Sequence, residues 1–298
     1  MSIPVYQNNG PISIPASLRL ERLSGKSVLV TGAASGLGKA YAQAFVKAGA
    51  YVTLVDFNEA LGKEIASALG ENAQFIKCDV TDWDQQVEAF EVAMKNSPQK
   101  SCDIVIANAG ILGHDGVFTL QGNWRHGLDS HTSSLTDRGP DPAGPPEKPD
   151  LQTINTNLVG LLYTAKLAIH YFRRQPLDAS RDRCLILKSS LAGYLDAPGW
   201  IQYNASKFGV RGVMRCLRRT SWQEGIRVNL VAPWYVRTPI VPEAAQEYLD
   251  QKGRALGVVP REYAHQGYLD LDLDDYKQGS LPLEWQKIVL QTASALAE

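Results

Sequence analysis

Features that would assign this chain to several large classes of protein are scarce in it. Cysteine occurs only four times, at Cys78, Cys102, Cys184 and Cys216, without the paired spacing or density of a disulfide-stabilised secreted domain. We therefore expect a reducing compartment. Residues 1–15 lack an apolar core of signal-peptide length, and no stretch approaches the ~18 apolar residues of a membrane span. The expectation is a cytoplasmic protein with no membrane span.

A predominance of one charge is lacking as well. Lys and Arg number 30 against 31 Asp and Glu, which gives a net charge of −1, and the sequence has no long basic run. Such a balance argues against nucleic acid as a partner. The acidic run at residues 269–275 could hold a cation, but carboxylate runs are usually solvated, so we predict no metal site.

Short apolar runs alternate with stretches of helical periodicity. The runs at 28–31, 51–55, 74–77, 104–107, 185–188 and 228–231 predict strands, and the patterns at 39–47, 61–69, 83–94, 158–172 and 203–222 predict helices. Runs that are apolar on both faces indicate a buried parallel sheet covered by helices. The predicted fold class is α/β, a Rossmann-type doubly wound sheet, in a single domain over residues 1–298.

The first predicted strand breaks into a glycine-rich turn. Residues 31–38 read Thr-Gly-Ala-Ala-Ser-Gly-Leu-Gly and lead into the first predicted helix. Glycines at such a place allow a tight turn and let a pyrophosphate approach the backbone N–H groups at a helix N-terminus. The loop is a weak signal by itself, but a second cluster on the same chain strengthens it.

That cluster is a tyrosine, a lysine and a serine. Tyr203 and Lys207 stand four residues apart, and Ser190 precedes the tyrosine by 13 (203 − 190). Spacing of four places the phenol and the ammonium on one face of a helix, one turn apart. Free tyrosine has a pKa near 10, so a tyrosine base at neutral pH needs that pKa lowered by ~3 units, which a nearby cation favours. We predict a proton-transfer site with Tyr203 as the base.

Together these motifs resemble the short-chain dehydrogenase/reductase family over residues 24–239. The glycine turn has the family's Thr-Gly-x-x-x-Gly-x-Gly form, Asn108-Ala109-Gly110 matches its signature after the fourth strand, and Asn157 matches its helix asparagine. The resemblance implies a tetrad of Asn157, Ser190, Tyr203 and Lys207. In it, Ser190 holds the substrate oxygen, Asn157 seats a water that relays the proton, and Lys207 also binds the nicotinamide ribose.

The resemblance further implies a set of dinucleotide contacts. They are Gly32, Ser35, Gly36, Leu37, Gly38, Asp56, Asp79, Val80, Asn108, Gly110, Tyr203, Lys207, Pro233, Val236 and Thr238. For Asp79 an N-cap role, by itself or by Thr81, stays open as an alternative.

Asp56 bears on the choice of cofactor. It ends the second predicted strand, 24 residues after Gly32 (56 − 32). A carboxylate there accepts the hydroxyls of the adenosine ribose and repels the 2′-phosphate of NADP. Neither the turn residues 33–35 nor Phe57 and Asn58 supply a cation for that phosphate. The predicted cofactor is NAD, and the predicted reaction is oxidation of a secondary alcohol to a ketone.

Two segments depart from the family pattern. Residues 111–150 form an insertion rich in Gly, Pro, Ser and Asp, interpreted as a flexible surface segment or as a flap over the substrate. Nothing after Pro239 resembles the family's seventh strand, so we predict that this strand is missing or altered. Residues 239–298 are interpreted as a divergent substrate lid and C-terminal segment.

The substrate pocket is predicted to be rich in aromatic residues. Where relatives have Pro-Gly, this chain has Pro233-Trp234, and we expect the Trp234 ring to turn toward the substrate. With Tyr194, Trp200, Ile201 and Tyr235 it would suit a bulky hydrophobic alcohol or ketone. A ketone reductase, or a non-redox scaffold that binds the cofactor, is the alternative function.

The helices at 158–172 and 203–222 predict a homodimer interface, as one of the family's two interfaces pairs these helices. They carry more apolar positions than one sheet face needs, although core burial is the alternative explanation. The positions are Leu161, Leu162, Ala165, Ala168, Ile169, Phe208, Val210, Val213 and Leu217.

Overall fold

A single parallel sheet forms the centre of the protein. The computed structural model describes residues 20–113, 144–145, 148–176, 182–195, 200–233, 236 and 238–240. Within them, six strands are ordered β3-β2-β1-β4-β5-β6, and every neighbouring pair is parallel. The strands are β1 (Ser27–Thr31), β2 (Tyr51–Asp56), β3 (Ala73–Lys77), β4 (Ile104–Ala107), β5 (Cys184–Lys188) and β6 (Arg227–Val231).

Helices cover both faces of this sheet. They are α1 (Gly36–Lys47), α2 (Glu59–Leu69), α3 (Trp83–Asn96), α4 (Gln152–Ile154), α5 (Gly160–Arg174) and α6 (Ile201–Ser221). A π-helical turn, Asn155–Val159, joins α4 to α5. Residues of α1 and α2 share one apolar cluster with the sheet, and residues of α3, α5 and α6 share the other. Alternation along each strand directs side chains to the two clusters in turn.

The strand order reverses between β1 and β4, and ligands of such sheets bind at this reversal, beyond the carboxyl ends of the strands. Here the two strand ends are tied together. Thr31 Oγ1 accepts hydrogen bonds from the backbone N–H groups of Asn108 and Ala109, at 3.0 and 3.1 Å. The Asn108 amide donates back to the carbonyls of Thr31 and Gly32, at 3.0 and 3.2 Å. These bonds fix the crevice between the two halves of the sheet.

The predicted α/β fold is confirmed, and each predicted strand lies within one residue of its observed ends. One expectation about burial was wrong. All strands were predicted to be buried on both faces, yet the two edge strands of the described sheet are not: β3 contains no buried residue, and β6 has Arg227 and Asn229 exposed. The seventh strand and the proposed lid at 241–298 lie outside the described residues, as does most of the insertion, at 114–143 and 146–147. No described helix is both long and apolar enough to cross a membrane.

Candidate active site

The glycine turn between β1 and α1 is built around positions where a side chain cannot fit. Gly32 has a φ of +66°, and a Cβ there would lie 2.7 Å from the Ala109 Cα. A Cβ on Gly38 would lie 2.0 Å from the Gly32 carbonyl oxygen. Ser35 precedes the helix, and its side chain makes no capping hydrogen bond to the first turn, which contains Leu37 and Gly38. The N–H groups in the first turn of α1 therefore have no side-chain cap from Ser35 and are suited to bind an anion.

Asp56 is held against this turn by the backbone. Its Oδ2 accepts from the Ala34 N–H at 2.9 Å, and its Oδ1 accepts from the Asn58 N–H at 2.9 Å. Each carboxylate oxygen retains a further lone pair for a ribose hydroxyl. Among the described residues no lysine or arginine bonds to Asp56, and the adjoining Phe57 is 72% exposed. The turn and the carboxylate together fit a dinucleotide.

Asp79 supports the turn after β3. Its Oδ1 accepts from the N–H and the hydroxyl of Thr81, both at 2.8 Å. The N-cap of α3 is instead Asp82, which accepts from the Gln85 N–H at 3.0 Å, so the alternative of a cap by Asp79 or Thr81 was wrong. Val80 is buried, and a Cβ on Gly160 would lie 2.9 Å from its carbonyl oxygen.

Ser190, Tyr203 and Lys207 come together at the end of β5. Tyr203 lies in the first turn of α6, and the Lys207 Nζ, one turn later, is 5.3 Å from the centroid of its ring. Ser190 follows the end of β5 after one intervening residue, Ser189. Its side chain hydrogen-bonds to the Tyr203 phenol. The predicted constellation is present as a contact between these side chains.

The Tyr203 phenol is not yet poised as a base in the protein alone. Burial raises the pKa of Tyr203 above 10.0, and the hydrogen bond with Ser190 only partly opposes this. A further positive charge is needed to favour the phenolate. The oxidised nicotinamide carries such a charge, so the protein and a bound cofactor would share the task of ionising Tyr203.

Lys207 is an almost fully buried lysine. Burial lowers the pKa of Lys207 from 10.5 to about 8, so a substantial fraction is uncharged in mildly alkaline solution. Its Nζ donates to the Lys188 carbonyl oxygen at 3.3 Å. A Cβ on Gly110 would lie 3.1 Å from Asn157 Oδ1 and 3.4 Å from this Nζ, so the backbone at Gly110 passes close to both side chains.

Asn157 lies inside the π-helical turn, fully buried. Its Oδ1 accepts from the Ile111 N–H at 2.8 Å, while its Nδ2 donates to the Ile111 carbonyl at 2.9 Å and to Ser206 Oγ at 3.3 Å. Single π turns are often found at functional sites. The side chain thus fixes the segment after β4 beside Lys207, and its part in a water relay stays a prediction.

Pro233, Val236 and Thr238 lie near the same crevice. The Pro233 carbonyl accepts from the Leu191 N–H at 3.0 Å and from the Ser190 hydroxyl at 3.5 Å. Val236 and Thr238 are buried, and the Thr238 Cβ would be 3.3 Å from a Cβ on Gly36. This segment therefore passes over the start of α1, where the predicted cofactor contacts lie.

Of the predicted aromatic pocket, Trp234 and Tyr235 lie outside the described residues. The Trp200 ring stands edge-on to Tyr203, with centroids 6.3 Å apart, and Ile201 is exposed. The Tyr194 ring instead packs against α6, where the Arg211 guanidinium lies 4.2 Å above it. Of the predicted pocket residues, Trp200 is thus the one with an observed ring contact to Tyr203.

Three residues that contact the site were not predicted from the sequence. Ser189 donates to the Lys207 carbonyl at 3.0 Å, and Ser206 and Lys188 contact Asn157 and Lys207. One signal was available: Lys188 is a lysine at the end of an otherwise apolar strand. The residues described here contain no cluster of three or more potential metal ligands.

Comparison with known proteins assigns the class. Residues 26–249 match the model of the short chain dehydrogenase family. The chain is 42% identical to 5′-hydroxyaverantin dehydrogenase of Dothistroma septosporum over 77% of its own length and 73% of the relative's. This chain therefore belongs to the short-chain dehydrogenase/reductase family and is an oxidoreductase.

Other relatives differ in the cofactor that they are named for. The chain is 33% identical to an NADP-dependent dehydrogenase of Cochliobolus lunatus, with 72% of each chain covered. It is 28% identical to the NAD(+)-dependent 15-hydroxyprostaglandin dehydrogenase of Mus musculus, covering 87% of this chain and 89% of the relative. A short-chain type dehydrogenase/reductase structure from Mycobacterium marinum aligns with a TM-score of 0.62 at 26% identity, covering 83% of this chain and 88% of that one.

Proposed function

We propose that this protein oxidises a secondary alcohol of a bulky hydrophobic molecule to a ketone, with NAD as the hydride acceptor. The observation that carries the proposal is the contact of Ser190, Tyr203 and Lys207 at the end of β5. The dinucleotide would lie along the glycine turn, with its pyrophosphate at the N-terminus of α1 and its adenosine ribose on Asp56.

The residues divide the reaction between them. When bound, NAD supplies an acceptor for the hydride that leaves the carbinol carbon. Ser190 donates a hydrogen bond to the substrate oxygen, and the Tyr203 phenolate accepts the hydroxyl proton. Lys207 stabilises that phenolate and donates to the nicotinamide ribose. The carbinol carbon thus loses a hydride and its oxygen a proton, which leaves the ketone.

The substrate class follows from the surroundings of the phenol and from the relatives. Trp200 stands beside Tyr203, and an aromatic wall suits an apolar or polycyclic alcohol. The relatives named for hydroxyaverantin and hydroxyprostaglandin support a hydroxylated, hydrophobic substrate, as in specialised metabolism. NADH fluorescence, recorded against a panel of hydrophobic secondary alcohols, tests the proposal. If no alcohol in the panel reduces NAD or NADP, the proposal is wrong.

Reduction of a ketone is the second candidate, because the same groups run the reaction in reverse. The NADP-dependent relative is the observation that favours it. Oxidation of NADPH by a panel of ketones, faster than NAD reduction by the matching alcohols, would select this alternative.

We expect NAD to bind far more tightly than NADP, because the Asp56 carboxylate repels a 2′-phosphate and no described cation lies on it. Asp56→Ala should reduce the difference between the affinities for NAD and NADP. It should also weaken NAD binding by about 10-fold, because the variant loses an acceptor for the ribose hydroxyls and the partner of the Ala34 N–H. Asp56→Asn is the matched control, because its amide oxygen can still accept from Ala34. Calorimetric titration of both cofactors measures each affinity. Equal or tighter binding of NADP to the unmodified protein would contradict the assignment.

We also propose a homodimer through α5 and α6, on a narrower surface than the sequence indicates. Leu161, Ala165, Ala168 and Val210 are buried in the core, and Ile169, Val213 and Leu217 pack against it. Leu162 and Phe208 remain 42% and 44% exposed, and Ile201 45%. Leu162 and Phe208 are therefore the positions at which the proposed interface can be tested.

Light scattering should give a dimer at micromolar concentration. Leu162→Glu with Phe208→Glu should give monomers, because two carboxylates would be buried without partners. Leu61→Glu on α2 is the control, since Leu61 is equally exposed, at 42%, on another helix. A tetramer, or a monomer of the unmodified chain, would refute the interface.

A further inference from the structure

Four buried side chains form one stripe along α6, and the stripe changes from polar to apolar along its length. Its members, spaced by four residues and each at most 3% exposed, are Gln202, Ser206, Val210 and Met214. Side chains at this spacing follow one another along a single helix face. The last two belong to the apolar core, as a buried helix face usually does. The two polar members lie at the end of the helix that carries Tyr203.

Ser206 links the backbone of the proposed base to the buried asparagine. Its hydroxyl donates to the Tyr203 carbonyl at 2.6 Å, which commits its one hydrogen within α6. The Ser206 Oγ therefore accepts from the Asn157 Nδ2, at 3.3 Å. The same Nδ2 also donates to the Ile111 carbonyl, at 2.9 Å. The Ile111 backbone thus sets the orientation of the Asn157 amide, and Ser206 sets its distance from α6.

Gln202 holds the start of the segment that leads to this asparagine. Its Nε2 donates to the Asp150 carbonyl at 2.8 Å. The Asp150 carboxylate in turn accepts from the Gln152 N–H at 2.9 Å, where α4 begins. The chain then runs through α4 into the π-helical turn that contains Asn157. Two side chains one turn apart on α6 therefore hold both ends of the segment 150–157.

Burial by itself would not require polar side chains at these two positions. Methionine in place of Gln202 and alanine in place of Ser206 would bury no polar side-chain atom, as is the case at Val210 further along the stripe. A buried polar group is favourable when its hydrogen bonds are made, and these two side chains bond to the segments that carry Asn157 and Tyr203. A departure from the apolar pattern at the catalytic end of the stripe indicates a functional constraint.

We propose that Ser206, supported by Gln202, is a positioning residue for alcohol oxidation: it holds the Asn157 amide at a fixed distance from the turn of α6 that carries Tyr203. The inference rests on the proposed function, with Tyr203 as the base, and on the predicted water relay through Asn157. Proton transfer requires heavy atoms within hydrogen-bond reach of each other, so small displacements of either group slow it. Ser206 acts through its two partners, and its loss should lower turnover more than cofactor binding.

Ser206→Ala should lower kcat about 10-fold, the expected effect of losing one hydrogen bond, while the affinity for NAD stays within about twofold. Steady-state turnover and calorimetric titration measure these two quantities. Met214→Ala is the matched control, because it opens a cavity on the same stripe about two turns further along α6. It should lower Tm more than Ser206→Ala does and leave kcat within about twofold. An unchanged kcat in Ser206→Ala would overturn the inference.

A double-mutant cycle tests whether the effect passes through Asn157. Asn157→Ala removes the group that Ser206 is proposed to position and should lower kcat by itself. Ser206→Ala added to that variant should then lower kcat by less than about twofold, because no amide is left to position. A further loss of about 10-fold in the double variant would mean that Ser206 acts independently of the asparagine, and the inference would be wrong.

Hydrogen exchange at the Ile111 amide gives a readout that needs neither activity nor a folded Asn157→Ala variant. This N–H donates to the Asn157 Oδ1 at 2.8 Å, so a less firmly held side chain should let it exchange about 10-fold faster in Ser206→Ala. Met214→Ala should leave the rate unchanged, because exchange at this amide follows local opening. An unchanged rate in Ser206→Ala would overturn the inference, even with a lowered kcat.

Gln202→Met tests the supporting role. It should lower kcat by about threefold, less than Ser206→Ala does, because water can replace the lost donor at the exposed Asp150. A kcat equal to that of the unmodified protein would remove Gln202 from the proposal. Failure of the proposed function itself is seen separately, as retained turnover in a Tyr203→Phe variant, and leaves the exchange result at Ile111 unaffected.

Discussion

Tyr203→Phe should lower kcat by at least ~10²-fold, because a positioned general base contributes typically 10²–10⁴-fold. The ring stays in place: its edge contact with Trp200 and its position 5.3 Å from the Lys207 Nζ do not involve the hydroxyl. NAD affinity should therefore remain close to that of the unmodified protein. What is lost is the atom that is proposed to accept the alcohol proton and that hydrogen-bonds to Ser190.

Steady-state NADH formation measures kcat, and calorimetry measures NAD binding. Tyr163→Phe is the matched control, since Tyr163 packs edge-on against Trp83, on α5 and α3, away from the catalytic cluster. Its kcat should be unchanged. If the Tyr203→Phe variant kept more than about a tenth of kcat, proton transfer through this phenol could not be its role.

Lys207→Met should damage both turnover and cofactor binding. Removal of the ammonium that stabilises the phenolate is expected to cost kcat ~10²-fold, similar to the loss of one preorganised donor in other enzymes. Loss of its proposed hydrogen bond to the nicotinamide ribose should weaken NAD binding by about 10-fold. If the variant had the same kcat or the same NAD affinity as the unmodified protein, the corresponding one of the two roles proposed for Lys207 would be wrong.

The same variant should also change how the stability of the protein depends on pH. The folded-state pKa of Lys207, about 8, lies below the unfolded value of 10.5. Stability of the unmodified protein should therefore rise with pH between about 8 and 10.5, and the rise should be smaller in Lys207→Met, because only the contribution of Lys207 is lost. Thermal unfolding across this range measures the difference. Lys166→Met, which removes an exposed lysine, should keep the rise.

Strand positions could be predicted well because each strand is a short apolar run bounded by polar residues or glycine. The four-residue spacing of Tyr203 and Lys207 was equally reliable, since an α-helix places such a pair one turn apart wherever it packs. The residue that caps the N-terminus of α3 could be predicted less reliably. Asp79, Thr81 and Asp82 all stand before α3, and only the backbone path after β3 selects Asp82 as the residue that accepts from Gln85.

The apolar residues of α5 and α6 show the limit of a periodic pattern. Leu161 and Leu162 are neighbours with the same side chain, but Leu161 is buried in the core and Leu162 is 42% exposed. Helical periodicity identifies an apolar face, but it does not say how much of that face the sheet covers. The depth to which each helix sinks onto the sheet decides this.

By itself, the sequence determined the α/β class, the glycine turn, the aspartate after β2 and the tyrosine and lysine on one helix face, because these depend on local geometry and on residues close together in the chain. Only the tertiary structure decided that the Asn157 amide grips the backbone of Ile111, 46 residues away, and that Lys188 reaches Tyr41 across 147 residues. Contacts at such separations arise when the sheet brings distant strand ends and helix faces together. The residue pattern along the chain carries no distance between them.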